Sequence, residues 1–185
     1  MPSGDLCWPK AEIFMGFIDR RLLIDHLREQ FQINWLGRHG IPHWARVRAN
    51  GLMLAKETGA NSHVVELFAW FHDSRRVNEH EDDGHGARGA ALAKKLKGQY
   101  FDATDDEMDL LVHACQHHSD GLMEDDVTVM TCWDADRLDL GRVGMVPLPQ
   151  YLCTDAARHD AVLKQANHRS RVWKRGFDSA RPRLL

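Results

Sequence analysis

The sequence predicts an all-α fold. Three observations predict it: apolar residues recur at helical spacing over most of the chain, capping residues and glycine stops fall at the ends of those runs, and no convincing alternating strand, repeat or low-complexity linker interrupts them. Counted along the chain, the runs give a bundle of about six to eight helices. We expect a single domain over residues 1–185, a length that buries a core without staples.

Residues 1–10 read as a loose arm. The first helix is expected between Ala11 and Phe31, where Ile13, Phe17, Leu22, Leu23, Leu27 and Phe31 recur at helical spacing. Trp35 to Pro42, WLGRHGIP, then breaks the chain with two glycines and a proline. A second helix starts about His43 and runs to Gly59, with Val47, Leu52, Leu54 and Ala55 apolar and the glycine placed as a stop. Asn61 or Ser62 caps the third, which contains the nearly unbroken apolar run of VVELFAWFHDSRR, Val64 to Arg76. A helix apolar almost all round belongs in a core.

From Arg75 to Gly86 the chain is polar and turn-rich, and ARGAALAKKLK predicts a fourth helix. Thr104 with Glu107 three residues on forms a capping box that opens a fifth, DDEMDLLVHACQHHSD, stopped by Gly121. The sixth starts about Asp126 and reads VTVMTCWDADRLDL. Beyond Gly141 and Gly144, Pro147 and Pro149 rule out a regular helix. The tail, 156–185, predicts one or two amphipathic helices, about Ala156 to Gln165 and Ser170 to Phe177, before the basic stub RPRLL.

Composition excludes several function classes. With 43% hydrophobic residues, 28% charged residues and a formal net charge of -3, the chain lacks the basic surface of a protein that seeks a nucleic acid polymer. No run of about 18 apolar residues predicts a membrane span, and MPSGDLCWPKAEIF lacks the features of a secretory signal. Cys7, Cys115, Cys132 and Cys153 are scattered without a CxxC pair and read as reduced thiols. A cytoplasmic protein is expected.

The apolar run of the third helix ends in His72-Asp73. An imidazole and a carboxylate delivered together onto buried ground are costly there unless answered, and a divalent cation answers both. A bare His-Asp dipeptide is weak evidence: a second one, His159-Asp160, sits in a polar stretch with no apolar frame. Two further residues supply context, His43 at the head of the second helix and Asp136 inside DADRLD of the sixth. All of these lie in helices whose apolar faces must meet in one core.

This pattern resembles the HD superfamily of metal-dependent phosphohydrolases, whose signature is a His, then a His-Asp pair, then a distant Asp. His43 stands in HWARV, like the family's HxxRV, and Asp136 in an AD-R-L context, so the resemblance covers about residues 41–144. It implies an HD-domain helical bundle. It also implies that His43, His72, Asp73 and Asp136 hold a divalent ion, for which Mn, Fe, Co, Ni, Zn and Mg all suit the mixed nitrogen and oxygen donors. Asp134 and Asp136 lie about 200° apart on a helix, so one of them faces the ion; the family context favours Asp136. Asp134 and Asp139 are then solvated, capping or supporting groups.

Two-metal members of the superfamily add histidines between the pair and the final Asp. Here that interval holds His80, His85, His113, His117 and His118, and His85, His117 and His118 are the candidates for a second ion. HHSDG, His117 to Gly121, resembles the HHE…DG stretch of the HD-GYP cyclic-dinucleotide phosphodiesterases, though it is shorter and no GYP follows. In a one-metal enzyme Asp73 would hold a water while His85 or His118 protonates the leaving group. Some HD nucleotidases carry a Glu three residues after the pair's Asp, where this chain has Arg76.

Phosphate also needs cations. Arg46, Arg75, Arg76 and Arg137 lie beside ligand positions and are the candidate substrate-binding residues, with salt bridges to Asp134, Asp139 or Glu79 as the alternative. Trp44, Trp70 and Trp133 are expected to pack the core, and Lys94, Lys95 and Lys97 to form a solvated face. The expectation is a phosphohydrolase acting on a nucleotide or other small phosphate mono- or diester, with a homo-oligomer left open. Its rivals are an HD-type di-iron oxygenase and a non-catalytic, metal-bound module that senses a nucleotide.

Overall fold

The structure, a computed structural model, describes residues 17–180, and among these there are eight α-helices and no strand. The expected arm, the start of the first helix, Cys7 and the basic stub lie outside the described residues. The helices are α1 (Arg20–Gln30), α2 (Ile41–Thr58), α3 (Ser62–Phe71), α4 (His85–Leu96), α5 (Asp105–His117), α6 (Val127–Arg137), α7 (Asp155–Arg158) and α8 (Asp160–Ala180). Two 3₁₀ turns, Leu140–Val143 and Pro149–Tyr151, lie between α6 and α7. None of these helices is long and apolar enough to cross a membrane.

Local chemistry sets the boundaries. Phe17 is not helical, because Ile18 makes an antiparallel bridge to Phe101 and the Asp19 side chain caps α1, accepting from Leu22 N at 3.0 Å. α2 opens two residues before His43, at Ile41, since Pro42 fits a first turn where its missing N–H costs nothing. It stops at Gly59, whose φ of 76° a side chain would resist. Asn61 caps α3 by accepting from His63 N and Val64 N, and the Thr104–Glu107 capping box opens α5. The tail differs from expectation: its one break falls at His159, which is extended, and α8 then runs unbroken.

α3 is the axle. Every residue from Val64 to Phe71 is buried, surrounded by α2, α4, α5 and α6. Phe68 and Phe71 are fully buried within it, each contributing about 2–3 kcal/mol of hydrophobic stabilisation. Its one charge, Glu66, is answered by Arg20 of α1 and Arg48 of α2. Trp44 and Trp133 are fully buried, with indole N–H groups donating to His39 O at 2.8 Å and Ala114 O at 3.1 Å. Cys115, Cys132 and Cys153 are free thiols, and burial pushes all three upward in pKa.

Two glycines let α4 sit closer than any side chain would permit. A Cβ at Gly89 would lie 2.2 Å from Phe71 O, and one at Gly86 would lie 2.1 Å from Cys115 O. The first residue of α4, His85, is thereby brought against the end of α3.

Candidate metal centre

Six side chains are delivered to one place by five helices. His43 comes from the first turn of α2, His72 and Asp73 from the end of α3, and His85 from the start of α4. His118 caps the end of α5, and Asp136 lies in the last turn of α6. His43, His72, Asp73, His85 and His118 are all buried. Helix ends converge here because the apolar faces of these helices must pack on α3.

Each of the four imidazoles is turned the same way. His43 Nδ1 donates to Asp139 Oδ2 at 2.7 Å, His72 Nδ1 to Phe68 O at 3.1 Å, His85 Nδ1 to Asp82 O at 2.6 Å and His118 Nδ1 to Cys115 O at 2.7 Å. These oxygens only accept, so the proton sits on Nδ1 and a neutral ring carries its lone pair on Nε2. All four Nε2 atoms point inward. They meet in pairs, His43 with His72 at 3.0 Å and His85 with His118 at 2.9 Å.

Asp73 stands between the pairs. Its Oδ2 is 3.5 Å from His43 Nε2 and 3.8 Å from His72 Nε2, while its Oδ1 is 3.2 Å from His85 Nε2 and 3.7 Å from His118 Nε2. Two sets of potential ligand atoms result, His43–His72–Asp73 and Asp73–His85–His118, in each of which the atoms lie within 4.8 Å of one another. Asp136 adjoins the first: its Oδ1 is 3.3 Å from His43 Nε2 and has no satisfied hydrogen bond. Facing lone pairs and an orphaned buried carboxylate oxygen are the arrangement a cation resolves, and the donors suit a divalent ion.

The electrostatics agree. Burial lowers the pKa of His72 to about 3, outweighing the pull of Asp73, so this ring is neutral and its nitrogen open to a metal. Burial would raise the carboxyls of Asp73 and Asp136, yet both are lowered, at Asp136 with the Arg142 guanidinium beside it. Burial likewise opposes charge on His118, yet the nearby Asp73 carboxylate leaves its pKa raised.

The other candidates fall elsewhere. His117 is partly exposed and hydrogen-bonded to Asp120 at 2.7 Å, and His113 pairs with Asp125. Arg46 commits Nε and Nη2 to Asp139 at 2.6 and 2.9 Å, Arg75 reaches Gln30, and Arg137 binds Leu122 O and Tyr151 O. Of the four arginines singled out in the sequence, Arg76 alone abuts the cluster, with Nε 3.5 Å from Asp73 Oδ1. Asp134 is not solvated: it is fully buried, accepting from Cys153 N, Thr154 N and Thr154 Oγ1 and so anchoring the chain before α7. Asp139 fixes the His43 ring.

No family model matches the sequence, and no curated protein does. Among solved structures, the chain is similar to the crystal structure of a predicted HD superfamily hydrolase from an uncultured Thermotogales bacterium. The likeness has a TM-score of 0.63 and 22% sequence identity, covering 88% of this chain and 93% of that one. The fold is the HD-domain fold.

Two residues of this HD-domain centre carry no signal in the sequence. Arg142, in the 3₁₀ turn after α6, is buried with Nη2 3.7 Å from Asp136 Oδ1. His39, before α2, is buried and bonded to Glu79 at 2.7 Å. Burial lowers its pKa, Asp73 opposes that, and Arg142 and Arg76 reinforce it, so His39 lies within electrostatic reach of all three.

Proposed function

We propose that this protein is a metal-dependent phosphohydrolase acting on a small phosphate ester, with nucleotides in the substrate class to be assayed. The observation that carries the reading is Asp73, whose two oxygens each face a pair of inward-turned imidazoles while a buried guanidinium lies beside them. His43, His72, Asp73 and Asp136 would hold one divalent ion, and Asp73, His85 and His118 a second. An ion held there supplies Lewis acidity, polarising a phosphoryl oxygen and making water more acidic.

The chain's own groups do the rest. Asp139, itself clamped by Arg46, keeps His43 in the tautomer that presents Nε2. His85 and His118 spend Nδ1 on carbonyls and Nε2 on the cluster, so we assign them to binding the second ion and not to proton transfer. His39, paired with Glu79 and held toward the neutral form by burial, is an imidazole beside the cluster that would accept a proton.

The test is phosphate or nucleoside release from a panel of nucleotides, cyclic dinucleotides and sugar phosphates, with Mn, Co, Mg or Fe, comparing wild type with Asp73→Asn. Metal-dependent turnover that vanishes in the variant is expected. The paired ligand sets also favour a second reading, oxygen activation by two irons; oxygen uptake by iron-loaded protein, without phosphate release from any ester, would select it.

A further inference from the structure

Two guanidiniums at the centre are buried with donors that have no hydrogen-bond acceptor among the described residues. Arg76 is 9% exposed, and its Nε and Nη1 have no hydrogen-bond partner; only Nη2 is used, on His80 O at 3.4 Å. Arg142 is 6% exposed and donates from Nε to Arg38 O at 3.0 Å, but its Nη1 has no partner. Arg46, Arg75 and Arg137, by contrast, have no buried donor without a partner. A buried charge with unmet donors is strongly unfavourable unless a ligand completes it.

The two stand on either flank of the ligand cluster, Arg76 beside Asp73 and Arg142 beside Asp136. Asp73 and Asp136 carry too little negative charge to balance divalent ions, and both arginines add to the excess. The deficit is that of a group bearing more than one negative charge. A phosphomonoester is a dianion near neutral pH; a diester is a monoanion with fewer free oxygens for two guanidiniums.

Outside the cluster the charge reverses. A cleft of about 540 Å³ runs from Arg76 and His85 between the 77–84 loop and the end of α5, and its walls expose Glu81, Asp83 and Asp120. A second phosphate on the ligand would face these carboxylates, and like charges at such range repel.

Resting on the phosphohydrolase reading, we infer that the substrate is a phosphomonoester with a single phosphate, gripped by Arg76 and Arg142, and neither a diester nor a polyphosphate. The grip can be read without turnover, by calorimetric titration of inorganic phosphate and dimethyl phosphate into manganese-loaded protein. Phosphate is expected to bind at least about tenfold more tightly than dimethyl phosphate. Arg76→Met and Arg142→Met should each weaken phosphate binding about tenfold, the worth of a charge-assisted hydrogen bond, with bound manganese unchanged. Arg142→Lys, which keeps the charge in a smaller perturbation, should recover part of the loss.

Rates on p-nitrophenyl phosphate, its bis ester, and a nucleoside mono- and triphosphate complete the experiment, with monoesters expected at least about tenfold ahead in kcat/KM. Equal binding of the two anions overturns the inference, as does a preference for the bis ester or the triphosphate. So does Arg142→Met protein that loses manganese while its remaining sites bind phosphate normally. Turnover of diesters would leave the phosphohydrolase reading standing and this one fallen. Arginine-dependent phosphate binding without turnover of any ester would do the reverse, sinking hydrolysis and keeping the dianion grip.

Discussion

Nε2 of His85 lies 2.9 Å from Nε2 of His118, and each ring has already donated its Nδ1 proton to a backbone carbonyl. Two lone pairs at that separation repel until a cation sits between them, and the same holds for His43 and His72. Two ions per chain are therefore expected in metal-loaded wild type, and one in His118→Ala. Elemental analysis after desalting reads both. A count of one in wild type would remove the second set from the proposal.

Protonation and metal compete for that second set. Asp73 raises the pKa of His118 against the effect of burial, so protons compete with an ion for its Nε2 as pH falls. Affinity at this position should rise with pH until His118 is neutral, and loading should acidify a weakly buffered solution. A pH-independent affinity would show that His118 is already deprotonated or is not a ligand.

Asp139 acts through His43. Its carboxylate holds His43 Nδ1 at 2.7 Å while accepting Arg46 on both oxygens, and Trp173 of α8 lies under that guanidinium at 4.7 Å from ring centre to the Arg46 carbon. Asp139→Asn should weaken metal binding by about 10–100-fold, the usual cost of losing a ligand's supporting carboxylate. Because the helices are held elsewhere, circular dichroism should be unchanged. Unaltered affinity would show that His43 needs no such orientation.

How far the centre is legible in the sequence depends on the sequence distance of each cause. His72-Asp73 stands out because it ends an apolar run, and His43 and Asp136 because of their immediate contexts. His85 and His118 are legible as histidines at helix ends, yet His117, adjacent to one of them, turns outward to Asp120. Arg46, one turn past His43, reads from the sequence as a phosphate ligand; the partner that occupies it, Asp139, lies far along the chain. Arg142 stays hidden because Gly141 and Gly144 erase the helical period around it, and only the 3₁₀ turn aims it back at Asp136.

Gly89 sets the spacing on which the second set relies. A Cβ there would sit 2.2 Å from Phe71 O and 3.4 Å from His72 O, both backbone atoms that cannot swing aside. Gly89→Ala must push α4 away from α3, carrying His85 with it, and the overpacking should cost about 1–3 kcal/mol despite alanine's better helix propensity. Urea denaturation measures the loss. A neutral or stabilising result would mean that α4 is free to shift without strain.

Glu66 links three helices and gives the fold an acid limit that can be tested apart from the metal. Its side chain is 7% exposed, accepting from Arg20 Nη2 at 2.8 Å and Arg48 Nε at 2.6 Å. Burial alone would raise its pKa, but the two arginines outweigh it and leave the pKa lowered. A carboxylate with a lowered pKa stabilises the fold fully above its ordinary, unfolded value, and that contribution is lost as pH falls from there through the folded value. Glu66→Gln should cost about 1–3 kcal/mol at pH 7, discounted because Arg20 is half-exposed and can be rehydrated. As pH falls from the ordinary carboxylate range through the lowered folded value, the variant and wild type should converge, since protonated Glu66 no longer answers either arginine; urea midpoints followed from pH 7 into acid would reveal a constant gap if the ion pair contributed nothing.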